Sequence, residues 1–113
     1  MEPPSKGDLI YINFNPQSGH EQAGKRPAIV LSPRSFNKET GFAIVCPITN
    51  QQKGYPFEVT IPDDQETITG VVLTDQVKSL DWKARNIKVI EQTNPHVVNK
   101  CISNIRKILP LED

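Results

Sequence analysis

The run His20-Glu21-Gln22-Ala23-Gly24-Lys25-Arg26-Pro27 sets a carboxylate and a guanidinium on either side of a glycine, at the mouth of an apolar stretch. Gly24 lets the backbone turn sharply between them. A phosphodiester beside a ribose hydroxyl breaks when a base takes the hydroxyl proton and positive charge steadies the phosphorus centre. A carboxylate can do the first and an arginine the second, with no metal ion. On the loop alone, a surface Glu21–Arg26 ion pair is the simpler reading. Arg26 carries a second signal, because it stands directly before Pro27-Ala28-Ile29-Val30-Leu31 and so puts a permanent charge at the edge of a buried strand. Its planar fork fits a phosphate at two points. Structural ion pairing is again the alternative.

The remaining candidates are fewer. Of the two histidines, His20 stands in the same loop beside Glu21, whereas His96 falls at the start of a helix and is expected to face solvent. A nuclease built on two histidines is therefore not expected. Lys53, Lys78, Lys83 and Arg85 are interleaved with Tyr55, Phe57 and Trp82, a mixture that single-stranded nucleic-acid grooves use for backbone charge and base stacking. Phe57 and Trp82 are read as core residues in preference to stacking platforms. Phe14, next to the loop, is the ring expected to point into the groove. No glycine-rich phosphate loop with its lysine, no nucleophile elbow and no cysteine pair at metal spacing occurs. The two cysteines, Cys46 and Cys101, lie in apolar stretches and read as buried reduced thiols.

Short strands must position these groups. Gly7–Phe14 alternates, with Leu9, Tyr11 and Asn13 on one face and Ile10, Ile12 and Phe14 on the other. Asn15–Lys25 is an aperiodic loop of about eleven residues, long enough to suggest function. Pro27–Leu31 and Phe42–Ile48 are expected to form a hairpin, with turn chemistry at Asn37–Gly41. Thr49–Pro56 reads as a second polar loop, Phe57–Ile61 as a strand, Gly70–Leu80 as one longer strand and Arg85–Glu91 as the last. Asn94 before Pro95 predicts a helix start, and Val98, Cys101, Ile102, Ile105, Ile108 and Leu109 give it one apolar stripe until Pro110 ends it. Many short strands plus one terminal helix predict a small antiparallel sheet or barrel with the helix packed on it.

Composition bounds the rest. A length of 113 residues suits one domain, and a hydrophobic fraction of 36% with 23% charged residues suits a soluble chain. No apolar run could span a bilayer and the first residues lack a signal peptide's apolar stretch, so a cytoplasmic protein with no membrane partner is expected. The formal net charge is zero, which argues against nucleic-acid binding through bulk charge but leaves room for a local basic groove.

Several blocks in fixed order then resemble one family. They are Gly7-Asp8-Leu9-Ile10, Asn13-Phe14-Asn15-Pro16, Glu21 through Ser32, Pro47-Ile48-Thr49, Lys53-Gly54-Tyr55-Pro56-Phe57-Glu58-Val59, and Asp75-Gln76-Val77-Lys78-Ser79. Together they resemble the MazF/PemK (Kid-like) toxin endoribonucleases, from Gly7 to about Leu109, and the Lys53–Val59 block points to the bacterial MazF branch. The resemblance implies a mainly β, SH3-like or CcdB-like antiparallel barrel with a C-terminal helix, pairing into a homodimer. It implies cleavage of single-stranded RNA at short motifs, leaving 2′,3′-cyclic phosphate and 5′-hydroxyl ends, with no cofactor. It further implies a cognate antitoxin with an acidic, partly disordered tail, and DNA contact only through the antitoxin complex. By the same resemblance Glu21 is the general base, Arg26 stabilises the phosphate and assists the general acid, and Thr49 contacts the scissile phosphate. Phe14, Gln76, Lys78 and Arg85 match positions near bound RNA, and Asn13 and Lys53 complete the expected RNA-binding set. Asn13 and Asn15 stand where well-known relatives carry aspartates, and His20 also departs from them, so cleavage specificity does not carry over. The alternatives are a gyrase-poisoning or other protein-binding toxin on the same barrel, and a plain SH3-like interaction module.

Overall fold

The computed structural model describes residues 2–15, 19, 24–62 and 67–112. The opening strand, β1 (Asp8–Asn13), is apolar on both faces over its first half, with Leu9, Ile10 and Ile12 fully buried. Burial on both faces requires packing above and below the sheet, and β1 also has a strand on each side. It pairs antiparallel with β2 (Lys25–Val30) on one side, Ile10 opposite Ala28 and Ile12 opposite Arg26, and with β7 (Lys88–Gln92) on the other. A break in register between Leu9 and Ile10 bends the β1–β7 ladder.

The expected pairing of the second and third strands is present: β2 lies antiparallel to β3 (Phe42–Thr49), with Ala28 opposite Pro47 and Val30 opposite Val45. Their connection is not the expected turn. It is a short helix, α1 (Arg34–Thr40), which Gly41 closes at a φ of 75°. Only Asn37 of this helix is buried, so there is no apolar stripe for periodicity to detect. Asn37 acts as a buried hub. Its side-chain N–H groups donate to the carbonyls of Pro4 (2.9 Å) and Ser32 (3.1 Å), and its own carbonyl accepts from Trp82 Nε1 at 2.8 Å.

The expected single strand over Gly70–Leu80 is in fact two. β5 (Val71–Leu73) pairs with the end of β3, and β6 (Lys78–Asp81) pairs with its beginning. Thr74–Gln76 forms one turn of 3-10 helix that carries the chain from one ladder to the other. β4 (Glu58–Thr60) pairs with β5 at the edge. The sheet therefore runs β4-β5-β3-β2-β1-β7 with β6 branching from β3, and among the described residues no ladder closes it into a complete barrel.

Each face of this sheet has its own core. Leu9, Ile29, Cys46, Ile48 and Val72 pack beneath the C-terminal helix α2 (Pro95–Ile108) through Val97, Val98 and Cys101. Ile10, Ile12, Phe14, Ala28, Val30 and Val45 gather on the other face around Trp82, which is 1% exposed. α2 begins as predicted, with the Asn94 side chain accepting from the Val97 N–H at 3.1 Å and Pro95 in the first turn. Its apolar stripe outruns the sheet, leaving Leu109 67% exposed. No helix of the described residues is long and apolar enough to cross a membrane.

Candidate functional site

β1 and β2 end together at the neck of the 15–24 loop. Past Asn13 opposite Lys25, the Phe14 N–H donates to the Gly24 carbonyl (2.8 Å) and the Gly24 N–H donates to Asn15 Oδ1 (2.9 Å). The Asn15 N–H donates to Asn13 Oδ1 at 2.9 Å, closing an Asx turn on the strand's last residue. Glu21 and His20 lie outside the described residues. Arg26, just inside β2, is exposed. The β2–β3 ladder runs from Val30 opposite Val45 to Ala28 opposite Pro47, so Arg26 and Thr49 each lie two residues past its last pair, on the same side.

Thr49 is held from two sides. Its hydroxyl accepts from the Gln51 N–H at 3.1 Å. Behind it, Gly70 adopts a φ of 114° and packs so closely that a Cβ there would meet the Thr49 carbonyl. Only glycine fits this backbone and this approach. From Thr49 the chain enters the polar loop, where the Glu58 carboxylate accepts from the N–H groups of Lys53 (3.0 Å) and Gly54 (2.9 Å) and so shapes the turn.

Thr49, Lys53, Tyr55, Glu58, Asp75 and Gln76 line a polar cavity of about 80 Å³. The turn at Thr74–Gln76, which breaks the expected long strand, is what delivers Asp75 and Gln76 to it. Lys53 Nζ stands 6.0 Å from the centroid of the Tyr55 ring, which is 57% exposed. Three expected residues, Thr49, Lys53 and Gln76, are thus brought together, and Arg26 stands at the same end of β3 by register. Tyr55 and Asp75 join them; the mixture of lysines and aromatics flagged Tyr55, whereas Asp75 had no chemical signal beyond its neighbour Gln76.

The other expected residues separate. Phe14 is 2% exposed within the core around Trp82, so its ring anchors the end of β1 and presents no face to a ligand; the expectation that it lines an RNA groove is corrected on that ground. Lys78 pairs with Val45 in the β6–β3 ladder and lines a different, apolar groove of about 420 Å³ with Leu31, Ile44, Ile102 and Ile105. Arg85 donates from one guanidinium nitrogen to the carbonyls of Asn13 (2.9 Å) and Asn15 (2.8 Å). Asn13 is exposed at the neck. His96 is exposed on the first turn of α2, as expected. Cys46 and Cys101 are buried free thiols, and burial pushes both thiol pKa values up, that of Cys101 to about 12. Among the described residues no three His, Cys, Asp or Glu side chains stand close enough to hold a metal ion.

An exposed guanidinium, a hydroxyl at a strand end, an amide-bearing turn and an accessible ring over a lysine are the groups that bind a phosphate and an adjacent unstacked base. The fold that carries them is that of the crystal structure of MazF (Form-I) from Deinococcus radiodurans, with a TM-score of 0.91 and 42% identity over 96% of this chain and 98% of that one. A crystal structure of MazE-MazF (Form-II) from the same organism gives a TM-score of 0.84 at 36% identity, covering 97% and 98%. In sequence, the endoribonuclease toxin MazF of Escherichia coli (strain K12) is 52% identical over 82 residues, 73% of this chain and 72% of that protein. Residues 5–109 match the model of the PemK-like, MazF-like toxins of type II toxin-antitoxin systems, and the chain belongs to that family.

Proposed function

We propose that this chain is a sequence-specific endoribonuclease toxin that acts in the cytosol and cleaves single-stranded RNA, mRNA included, without a metal ion. Glu21 takes the proton of a ribose 2′-hydroxyl as its oxygen bonds to the adjacent phosphorus. Arg26 and the Thr49 hydroxyl steady the charge on the non-bridging oxygens. The phosphorus–O5′ bond breaks, and O5′ leaves with a proton whose transfer Arg26 assists. The products are a 2′,3′-cyclic phosphate and a 5′-hydroxyl. Lys53, Gln76 and Asn13 hold and read the flanking nucleotides, with Tyr55 available for stacking; Lys78 serves an adjoining surface. The observation that supports this reading is the gathering of Thr49, Lys53 and Gln76 around one polar cavity at the end of β3 in a chain of this toxin family.

The working form is a homodimer, a reading supported by the apolar groove beside Lys78 and by Leu109 left exposed at the end of α2. A cognate antitoxin with an acidic, partly disordered tail blocks the RNA surface, as the existence of a MazE-MazF complex of the Deinococcus protein suggests, and DNA is met only through that complex.

The test is a labelled single-stranded RNA incubated with the protein in excess chelator. Cutting with cyclic-phosphate ends is expected, and Glu21→Ala and Arg26→Ala should each lose about a hundredfold or more in rate while remaining folded. RNA left intact by the unmodified protein, or cut equally by both variants, refutes the assignment.

A further inference from the structure

β7 stops pairing with β1 at Tyr11 opposite Lys88, while β1 runs on to Asn13. The carbonyls beyond that point have no strand beside them on the β7 side. The side chain of Arg85, from the turn before β7, fills the gap by donating to Asn13 O and Asn15 O from a single nitrogen. Charge-assisted donors of this kind make stronger bonds than neutral N–H groups. Asn15 is the residue whose side chain receives the Gly24 N–H, so the guanidinium grips the strand that in turn grips the other side of the loop neck. In the sequence Glu21 falls between Asn15 and Gly24, and Arg26 follows Gly24 by two residues, on β2.

We infer that Arg85 is a positioning residue: it fixes the Asn13–Asn15 strand end and, through the Asn15–Gly24 contact, the start of β2 that carries Arg26, and does not itself hold RNA. This rests on the endoribonuclease reading above and assigns Arg85 a role different from the RNA contact its sequence position suggested. A phosphate ligand and a backbone clamp make opposite predictions. A lost phosphate contact weakens RNA binding and lowers the slope of log affinity against log salt by nearly one. A lost clamp leaves binding and its salt slope unchanged, but misplaces a reacting group, where displacement by about 1 Å can cost about a hundredfold in rate.

The experiment compares Arg85→Ala and Arg85→Lys with the unmodified protein. It measures kcat and KM on a cleavable RNA, the affinity and salt slope for an RNA carrying a 2′-deoxy sugar at the cut site, and amide hydrogen exchange. The expected result for Arg85→Ala is a fall in kcat of about ten- to a hundredfold with KM and salt slope unchanged. Exchange should speed up at least about tenfold at the Phe14, Asn15 and Gly24 amides, local opening being read directly there. Arg85→Lys keeps a donor at the same place and should recover part of the kcat and of the protection, which also serves if the alanine variant does not fold. Unchanged exchange at those amides, or weakened binding with a shallower salt slope and normal kcat, overturns the inference. RNA left whole by the unmodified protein brings down the endoribonuclease reading and this role with it. Normal cutting combined with a silent Arg85→Ala brings down the role alone.

Discussion

Replacing Gly70 by alanine tests the link between backbone packing and the Thr49 end of the site. Gly70 has a φ of 114°, and an added Cβ would sit 2.8 Å from the Thr49 carbonyl carbon and 2.9 Å from Asn50 Oδ1, in addition to striking the carbonyl oxygen. Holding a non-glycine residue in such a conformation costs about 1–3 kcal/mol. The overlap adds a further term, because the Thr49 backbone is locked in the β3–β5 ladder opposite Val71 and cannot move alone. A total loss of about 2–4 kcal/mol is expected, equivalent in a domain of this size to roughly 10–20 °C in Tm. Gly41→Ala is the control: its φ is 75°, but nothing stands within 4 Å of its Cβ, so only the left-handed strain of about 1–2 kcal/mol applies. The assay is thermal and urea unfolding of both variants, with RNA cleavage measured well below Tm. Gly70→Ala should lose more stability than Gly41→Ala and, unlike it, should also lose rate as Thr49 shifts. Equal Tm losses with full activity in both would refute the idea that Gly70 is there to let the Thr49 backbone come close.

Asn37→Ala removes a fully buried side chain that donates to the Pro4 and Ser32 carbonyls and leaves those acceptors without their partner; a loss of about 2–4 kcal/mol in urea unfolding is expected. Asn94→Ala removes the N-cap of α2 and should cost about 1 kcal/mol by the same measurement, whereas Asn94→Asp should cost little. The Cys46 and Cys101 thiols keep their protons in the fold well above the ordinary value of 9.0, so the unfolded chain loses them first as pH rises. Stability due to these thiols is complete below pH 9 and falls above it, by up to about 1.4 kcal/mol per pH unit for each thiol. Unfolding midpoints at pH 8 and pH 10.5, compared with those of a Cys46→Ala/Cys101→Ala protein, measure the difference; an identical pH dependence of the two proteins refutes it.

Where pattern and burial agree, the fold is legible in the sequence. The Asn94-Pro95 start and the three- and four-residue apolar steps mark α2 because the helix lies on the sheet along that stripe. α1 is invisible for the opposite reason: it buries one polar residue, and its stability comes from hydrogen bonds to segments distant in sequence. The stretch from Gly70 to Leu80 looks like one strand because Val71, Val72, Leu73 and Val77 suit pleated backbone. No local signal shows that β3 requires two separate partners along its length. The site divides in the same way. Residue type and motif order single out Thr49, Lys53 and Gln76, and the fold gathers all three around one polar cavity. Phe14 and Arg85 show the limit of that logic, because an aromatic ring can serve a core and a guanidinium a carbonyl pair as readily as a ligand. Only the tertiary neighbours of those two residues decide between the roles.

One substrate change tests whether the ribose 2′-hydroxyl attacks its own phosphodiester with no metal ion. Once a cut site has been mapped by sequencing the ends of a long digested RNA, a short RNA spanning it is compared, in excess chelator, with the same strand bearing a single 2′-deoxy sugar on the 5′ side of that bond. The all-ribose strand should be cut to a cyclic phosphate, and the deoxy strand should stay whole at that bond. Cleavage of the deoxy strand there, or ends carrying a 3′-hydroxyl, would rule out attack by the 2′-hydroxyl.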